Sequence, residues 1–359
     1  MNWEQNRIGF IPAEEWLNVG FSVQRPNDPI DGLFGDQRTN NIMAQWQTIA
    51  AQYQIPEMAQ FHAFDTEAQT TTRIPIDVHN VEKGLIKVKI NQSERLRELF
   101  RSGVRDTEIF NYVMNDGIDL AQKVVTRTKV AKNELMATGH VTIAENNLNL
   151  TVDYGVPQAQ TEYTLDLAST ADLMAQIQAI VDAAKDAGVT INGIMTSQKN
   201  VVKMRMNAGL QTNINGNVGA GAMIRSTALK DFLSEEFGID QLITNDLTYR
   251  VPAGVGGDGR PVISMKRYFP TDKVTFFATN AAGRMGLGLW GDPPEADNTG
   301  FGSTARTTSE SPYVYVTQYY EEDPKVLWTK ASALFMPVLF NPNSLFISTV
   351  TDSLETEGA

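Results

Sequence analysis

The longest regular pattern in the chain is an apolar stripe at helical spacing between Asp106 and Gly139. Its members are separated alternately by four and seven residues: Ile109, Val113, Leu120, Val124, Ala131 and Leu135. Asp106 or Thr107 can cap the first turn, and Gly139 can end the last turn in a left-handed conformation. The pattern predicts one helix over residues 106–138, roughly 50 Å long. Gly117 is a weak helix former inside it and marks the predicted position of a bend.

Alternating apolar and polar residues, typical of strands, flank this helix. Before it, residues 74–78 and 86–90 alternate, and Pro75 favours an edge or projecting position for the first of these strands. Directly after it, β-branched runs at 140–143 and 149–153 predict a hairpin. Further strands are predicted at 189–195, 241–244, 247–251, 273–278, 284–290, 312–320 and 325–335.

Helical segments alternate with these short strands in the middle of the chain. Capping residues and glycine stops predict helices at 93–101, 173–187, 197–206 and 226–237. Residues 156–168 are predicted to form a polar connector, and residues 213–222 a flexible, uncharged loop. The combined pattern predicts an α+β protein.

Several motifs, in this order along the chain, resemble one known family. The long helix ends in Glu134–Gly139, a strand follows, and Val152–Gly155 comes next. Near the end lie a Tyr-x-x-x-Asp-Pro run at Tyr319–Pro324 and a Pro-Val-Leu-x-x-Pro run at Pro337–Pro342. Together they resemble the lambda-type capsid protein E family of tailed phages, whose members share the HK-ninety-seven (Johnson) fold.

The resemblance implies a division of the chain into the parts of a phage major capsid fold. These are an N-terminal arm (1–55), an extended β-hairpin called the E-loop with its adjoining strand (56–92), a peripheral domain (93–168) with the spine helix (106–138), an axial α/β domain (169–305), return strands of the peripheral domain (306–352) and a C-terminal tail (353–359). The E-loop tip is expected near residues 66–71. The scattered aromatic residues before residue 55 fit either an arm on other surfaces or a start folded back on its own domain.

Charge is unevenly distributed along the chain. The formal net charge of −12 argues against broad electrostatic binding to nucleic acid. Residues 83–105 nevertheless hold seven basic and two acidic residues. We hypothesise that basic residues here and on the E-loop contact an acidic turn of the next copy, which gives the candidate set Arg73, Lys83, Lys87, Lys89, Glu321, Glu322 and Asp323. The alternative is a solvated face with scattered ion pairs.

Motifs that would indicate catalysis are weak. The chain has no cysteine, and its three histidines form no zinc motif, so we predict neither a metal site nor a cofactor. Gly286–Gly291 matches the dinucleotide-binding pattern G-x-G-x-x-G, but Asp292-Pro293-Pro294 follows where a helix would be needed. Glycines of a strand are the preferred interpretation. An α/β enzyme that binds nucleotides through this segment is kept as an alternative.

The function implied by the resemblance is that of a major capsid protein. Its copies are expected to form pentamers and hexamers of an icosahedral shell that encloses double-stranded DNA without reading its sequence. Expected partners are a separate scaffolding protein, a portal protein and a decoration protein. We expect a structural protein of the virion, assembled in the host bacterial cytoplasm, with no membrane segment because no run of 18 apolar residues occurs. An encapsulin-like compartment shell is the second alternative.

Overall fold

The structure, a computed structural model, describes residues 28–49, 58–59, 73–74, 76–92, 106–216, 221–255, 261–296, 304–307, 313–323 and 325–352. The expected E-loop tip at 66–71, the expected helix at 93–101, most of the expected arm and the C-terminal tail lie outside these residues. The described part combines helices with several sheets, which confirms the α+β prediction.

The helices include the predicted long helix with the predicted ends. In chain order they are α1 (Ile30–Leu33), α2 (Asp106–Thr138), α3 (Gln158–Thr161), α4 (Leu173–Asp186), α5 (Gln198–Met206), α6 (Ala208–Asn215) and α7 (Ser226–Phe237). Helix α2 ends as expected, because Gly139 adopts a φ of 77° and its N–H donates to Leu135 O over 2.8 Å. Short 3₁₀ turns occur at Pro294–Ala296 and Pro342–Ser344.

Seventeen strands are assigned within the described residues. They are β1 (Phe34–Arg38), β2 (Met43–Thr48), β3 (Asp77–Glu82), β4 (Gly84–Gln92), β5 (His140–Glu145), β6 (Leu148–Asp153), β7 (Tyr163–Asp166), β8 (Gly193–Thr196), β9 (Gln241–Thr244), β10 (Thr248–Val255), β11 (Pro261–Arg267), β12 (Lys273–Phe277), β13 (Gly286–Gly291), β14 (Thr304–Thr307), β15 (Tyr315–Glu322), β16 (Lys325–Leu339) and β17 (Leu345–Thr351).

The larger sheet has six strands in the order β1-β13-β16-β15-β14, with β4 also paired to β16. Strand β16 spans 15 residues and pairs antiparallel with β4, β13 and β15, so it connects the whole sheet. Strand β1 runs parallel to β13. The chain therefore brings its N-terminal and C-terminal thirds together in one sheet.

The second sheet has five strands in the order β7-β17-β12-β8-β9. The segment 156–168, predicted as a connector, contains α3 and β7, and β7 pairs in parallel with β17. Strand β17 thus lies in the five-stranded sheet, while β13 lies in the six-stranded sheet. Each sheet therefore combines strands from both sides of residue 305, because strand pairing joins segments that are distant in sequence.

Helix α2 packs between the two sheets. Alternating side chains of the five-stranded sheet serve two cores: Phe277 belongs to the core around α2, and its neighbour Phe276 belongs to the core formed with α4–α7. A buried hydrogen bond of 2.8 Å from Thr275 Oγ1 to Met136 O joins β12 to α2. The long helix is consequently anchored on both sides.

Three two-stranded ribbons complete the architecture: β2–β3, the predicted hairpin β5–β6, and β10–β11. The loop predicted at 213–222 begins later than expected, because α6 continues through Asn215. Asn207 separates α5 from α6, and its side chain caps α6 by accepting a hydrogen bond from Leu210 N over 3.2 Å.

Candidate assembly surfaces

Glu295 joins two strands of the six-stranded sheet through a pair of lysines. Its Oε1 lies 2.7 Å from Lys330 Nζ on β16 and 3.0 Å from Lys87 Nζ on β4. Burial disfavours the ionised carboxylate, but the hydrogen bonds from Lys330 and Lys87 outweigh this and lower the pKa of Glu295 to about 2. Lys87, a predicted subunit contact, therefore forms an ion pair within its own chain while 42% of its side chain stays exposed.

Lys89 and Glu321, two other predicted contacts, meet at the ring of Trp328. Lys89 Nζ lies 3.9 Å from the ring centroid, a cation–π arrangement. Trp328 Nε1 donates to Glu321 Oε2 over 2.8 Å. Tyr319, directly opposite Trp328 in the β15–β16 register, stacks on it. Trp328 could not be predicted from the sequence, because its place between these charges depends on the pairing of β4, β15 and β16.

The remaining acidic and E-loop candidates are arranged differently. Arg73 and Asp323 are exposed, and within the described residues neither has an ion-pair partner. Glu322 belongs to β15, but its side chain is not among those described. The structure thus brings Lys89 and Glu321 together and leaves Arg73 and Asp323 open to solvent.

Lys83 is buried rather than placed on the surface. Only 2% of the residue is exposed, and its ammonium donates to Asn41 O, to Thr39 O over 3.2 Å and to Trp290 O over 3.3 Å. Burial lowers the pKa of Lys83. These bonds fix the turn between β1 and β2 against β13. Lys83 is therefore not available for a contact between subunits.

A buried polar cluster joins the start of the described chain to helix α2. Lys132 Nζ lies 2.9 Å from Asp36 Oδ1, and Lys129 Nζ lies 2.9 Å from Asp31 Oδ2. Both lysines are almost fully buried, so their charges require these partners. The signal in the sequence was that Lys132 and Asn133 directly follow Ala131 of the apolar stripe of α2, but their partners could not be read from it.

Asp28 connects the same cluster to the five-stranded sheet. Its carboxylate accepts hydrogen bonds from Asn245 Nδ2 over 3.0 Å, from Asn133 Nδ2 over 3.4 Å and from Ile30 N over 3.1 Å. Burial raises the pKa of Asp28 despite the bond from Ile30 N. Three separate parts of the chain therefore meet at one carboxylate.

Gly117, the predicted bend, lies within α2, where the helical assignment is continuous from Asp106 to Thr138. The residue is buried. A bend at this position remains a prediction.

The G-x-G-x-x-G segment is strand β13, and each glycine is tightly packed. A Cβ on Gly286 would lie 2.0 Å from Val338 O, and one on Gly288 would lie 2.6 Å from Asp36 Oδ1. One on Gly291 would lie 3.1 Å from Lys83 Nζ. The glycines thus allow neighbouring groups to approach the strand closely. This agrees with the prediction that they are glycines of a strand.

In the part of the chain that the structure describes, no group of three or more histidine, aspartate or glutamate side chains is arranged to hold a metal ion. Among the described helices, none combines the length and apolar character needed to cross a bilayer.

Comparison with known proteins identifies the family. The family model for phage major capsid protein E matches residues 48–350. A search of curated protein sequences found no match. A protein of an Escherichia coli CFT073 prophage, assigned to its capsid, is similar in structure with a TM-score of 0.54 and 14% identity, covering 94% of this chain and 97% of the other.

A second similar structure is a phage-related protein from Bordetella bronchiseptica RB50. Its TM-score is 0.52 at 12% identity, and the match covers 95% of this chain and 97% of that protein. At such identities the likeness supports the fold, while the family match over most of the sequence supports the role. The chain therefore belongs to the phage major capsid protein E family and has the α+β fold of phage capsid proteins.

Proposed function

We propose that copies of this head-shell protein form pentamers and hexamers through their two-stranded ribbons and the charged edge around Trp328. The observation that carries this proposal is that all three ribbons expose large apolar side chains. These are Val78 on β3 and Ile42 directly before β2, Leu148 and Leu150 on β6, and Val262, Ile263 and Met265 on β11. Such surfaces are typical of interfaces. A closed shell uses two complementary surfaces on every copy.

The charged candidates support a more limited contact than the sequence analysis predicted. Lys87 already interacts with Glu295 of its own chain, and Lys89 with Trp328. A contact of either lysine with a neighbouring copy would weaken these interactions, so it would add less to the free energy of association. Arg73 and Asp323 are exposed and have no ion pair within the described residues. We expect the intersubunit ion pair to join Arg73 of one copy to the acidic segment Glu321–Asp323 of another.

The domains follow the sheets in this proposal. The five-stranded sheet with α4–α7 forms the axial domain, and the six-stranded sheet with α2 forms the peripheral domain. Gly117 supplies a bend in α2 as the shell changes from its precursor to its mature form. In this division β13 belongs to the peripheral domain and β17 belongs to the axial domain, so the two domains are not separated by a single boundary at residues 305/306.

The role is structural rather than catalytic, which the packing of the β13 glycines supports. A separate scaffolding protein would direct assembly in the host bacterial cytoplasm, a portal protein would occupy one vertex, and a decoration protein would bind the outer surface. The DNA would be enclosed without sequence-specific contacts, in keeping with the net charge of −12.

The test is negative-stain microscopy of the protein expressed alone and with a coexpressed scaffold, combined with size-exclusion chromatography at low and high salt. We expect closed shells, tubes or rings of five and six copies, and weaker assembly at high salt because exposed charge pairs are screened. A monodisperse monomer or dimer under all of these conditions would contradict the proposal.

A further inference from the structure

An apolar groove with a volume of about 400 Å³ lies where β4, helix α2 and the hairpin β5–β6 meet. Four large apolar residues around it are between 43% and 61% exposed: Ile42, Leu85, Leu148 and Leu150. Leu148 and Leu150 share one face of β6 with Val152, which is buried. The groove thus continues the core around α2 outward as an apolar surface.

The ribbon β10–β11 has one face turned toward its own chain and one face turned away. Tyr249 and Val251 are half-buried, and the ring of Tyr249 lies 5.0 Å from that of Tyr268. On the other face the register places Arg250 opposite Met265 and Pro252 opposite Ile263. All four are exposed, Met265 by 76% and Ile263 by 52%. An isolated ribbon is only marginally stable, so this apolar face favours a further partner.

Charged residues of both signs line the groove, but its partly exposed basic side chains are already paired: Lys87 with Glu295 and Arg127 with Glu145. Glu82 lines the groove and is exposed, and Arg250 is exposed beside Met265. Neither forms an ion pair with another described residue. The exposed apolar residues of the β2–β3 ribbon are less suitable occupants of the groove, because Asp77 beside Val78 would repel Glu82.

We propose that the exposed face of ribbon β10–β11, formed by Arg250, Pro252, Ile263 and Met265, docks in the apolar groove of a second copy of this chain. The inference rests on the proposed self-assembly and names one of its contacts. The two surfaces differ, so the contact is heterologous and can repeat from copy to copy around a ring. Arg250 of one copy then pairs with Glu82 of the next.

Cysteine pairs test this contact directly, because the natural chain has no cysteine. Ile263→Cys and Leu148→Cys are purified separately, mixed under assembly conditions and oxidised, and the products are separated on a non-reducing gel. We expect a disulfide-linked dimer that requires both variants, since a disulfide forms only when the two Cα atoms lie within about 7 Å. Thr151→Cys is the matched control: it is exposed on the opposite face of β6 and should not react with Ile263→Cys.

A charge exchange gives an independent test. Arg250→Glu should reduce the yield of the cross-linked dimer at least tenfold, and Glu82→Arg in the partner variant should restore it. Both positions are exposed, so we expect each variant to fold, and circular dichroism of each variant checks this. Loss of the dimer without restoration by the exchange would contradict the Arg250–Glu82 pair and with it the docking orientation.

Electron microscopy of the same samples separates this inference from the proposed function. Shells or rings without a 263–148 cross-link would overturn the docking and leave self-assembly intact. A cross-link between two Leu148→Cys chains would indicate a symmetric contact. A cross-link between Leu148→Cys and Ile76→Cys would indicate that the β2–β3 ribbon of a neighbour occupies the groove. Either result would overturn the proposal. Absence of any assembly of the unmodified chain would contradict both.

Discussion

Asp28 and Asn245 are separated by 217 residues in sequence, yet Asn245 Nδ2 donates to Asp28 Oδ1 over 3.0 Å inside the protein. Asn133 on helix α2 also contacts both: its Nδ2 donates to Asp28, and its Oδ1 accepts from Asn245 Nδ2 over 2.9 Å. This triad links the start of the described chain, the long helix and the five-stranded sheet. The triad thus adds buried polar contacts to the apolar core that holds the sheet against the helix.

Replacement of Asp28 should destabilise the protein because its partners stay buried. Asp28→Ala removes the acceptor of two side-chain amides and one backbone N–H, and unsatisfied buried groups cost about 1–3 kcal/mol each. We expect the free energy of unfolding to fall by about 2–3 kcal/mol in denaturant titrations. Asp28→Asn should cost less, because it keeps an acceptor oxygen and removes a buried charge.

Asp186→Ala is the control for this experiment. Asp186 is the exposed last residue of α4, and its replacement should change the free energy of unfolding by no more than about 0.5 kcal/mol. If Asp28→Ala were as stable as Asp186→Ala, the triad would not fix the sheet to the helix.

Glu295 should make stability depend on pH in the acidic range. Its pKa in the folded chain is about 2, below the ordinary value of 4.5, so the ionised form is stabilised by folding. This contribution is fully present above pH 4.5 and is lost as the pH falls through 2. Because Lys87 is partly exposed to solvent, we expect a contribution on the order of 2 kcal/mol.

The measurement is the free energy of unfolding from pH 6 to pH 2 for the natural chain and for Glu295→Gln. The variant cannot ionise, so the difference between the two should be largest near pH 6 and should shrink as the pH approaches 2. A difference that stays constant across this range would show that the lysine pair does not stabilise the carboxylate.

Gly286 should not tolerate a side chain. In Gly286→Ala the new methyl group would lie 2.0 Å from Val338 O and 2.7 Å from Phe34 Cε1, so the backbone of β13 or β16 must move. Overpacking of this kind costs about 1–3 kcal/mol or more, and we expect a lower melting temperature and less folded protein. Gly32→Ala is the matched control, since its Cβ would meet nothing within 4 Å. Equal melting temperatures for the two variants would contradict the close approach of β13 and β16.

Gly117 tests the role of helix α2 in shell maturation. Gly117→Ala increases helix propensity by about 1 kcal/mol and should oppose a bend at this position. We expect precursor shells to form at normal yield and to resist the change to the mature diameter, measured by electron microscopy before and after a maturation trigger. Normal maturation of Gly117→Ala shells would show that the bend lies elsewhere or does not occur.

Elements with strong local signals were predicted well. Helix α2 has the predicted ends because its apolar stripe, its first turn and Gly139 all lie within one continuous segment. The hairpin β5–β6 was predicted for the same reason. In contrast, β7 was missed, because a segment of four residues is too short for its pattern to predict a strand, and its pairing with β17 joins distant parts of the chain.

By itself, then, the sequence determined the class of fold, the long helix, the hairpin that follows it and the family, since these depend on short-range periodicity and on motifs in a fixed order. The tertiary structure was needed to show that Lys83 is buried, that Lys89 and Glu321 both contact Trp328, and that β13 and β17 lie in different sheets. These facts depend on pairing between segments far apart in sequence, and the free energy of such pairing resides in contacts that no single segment contains.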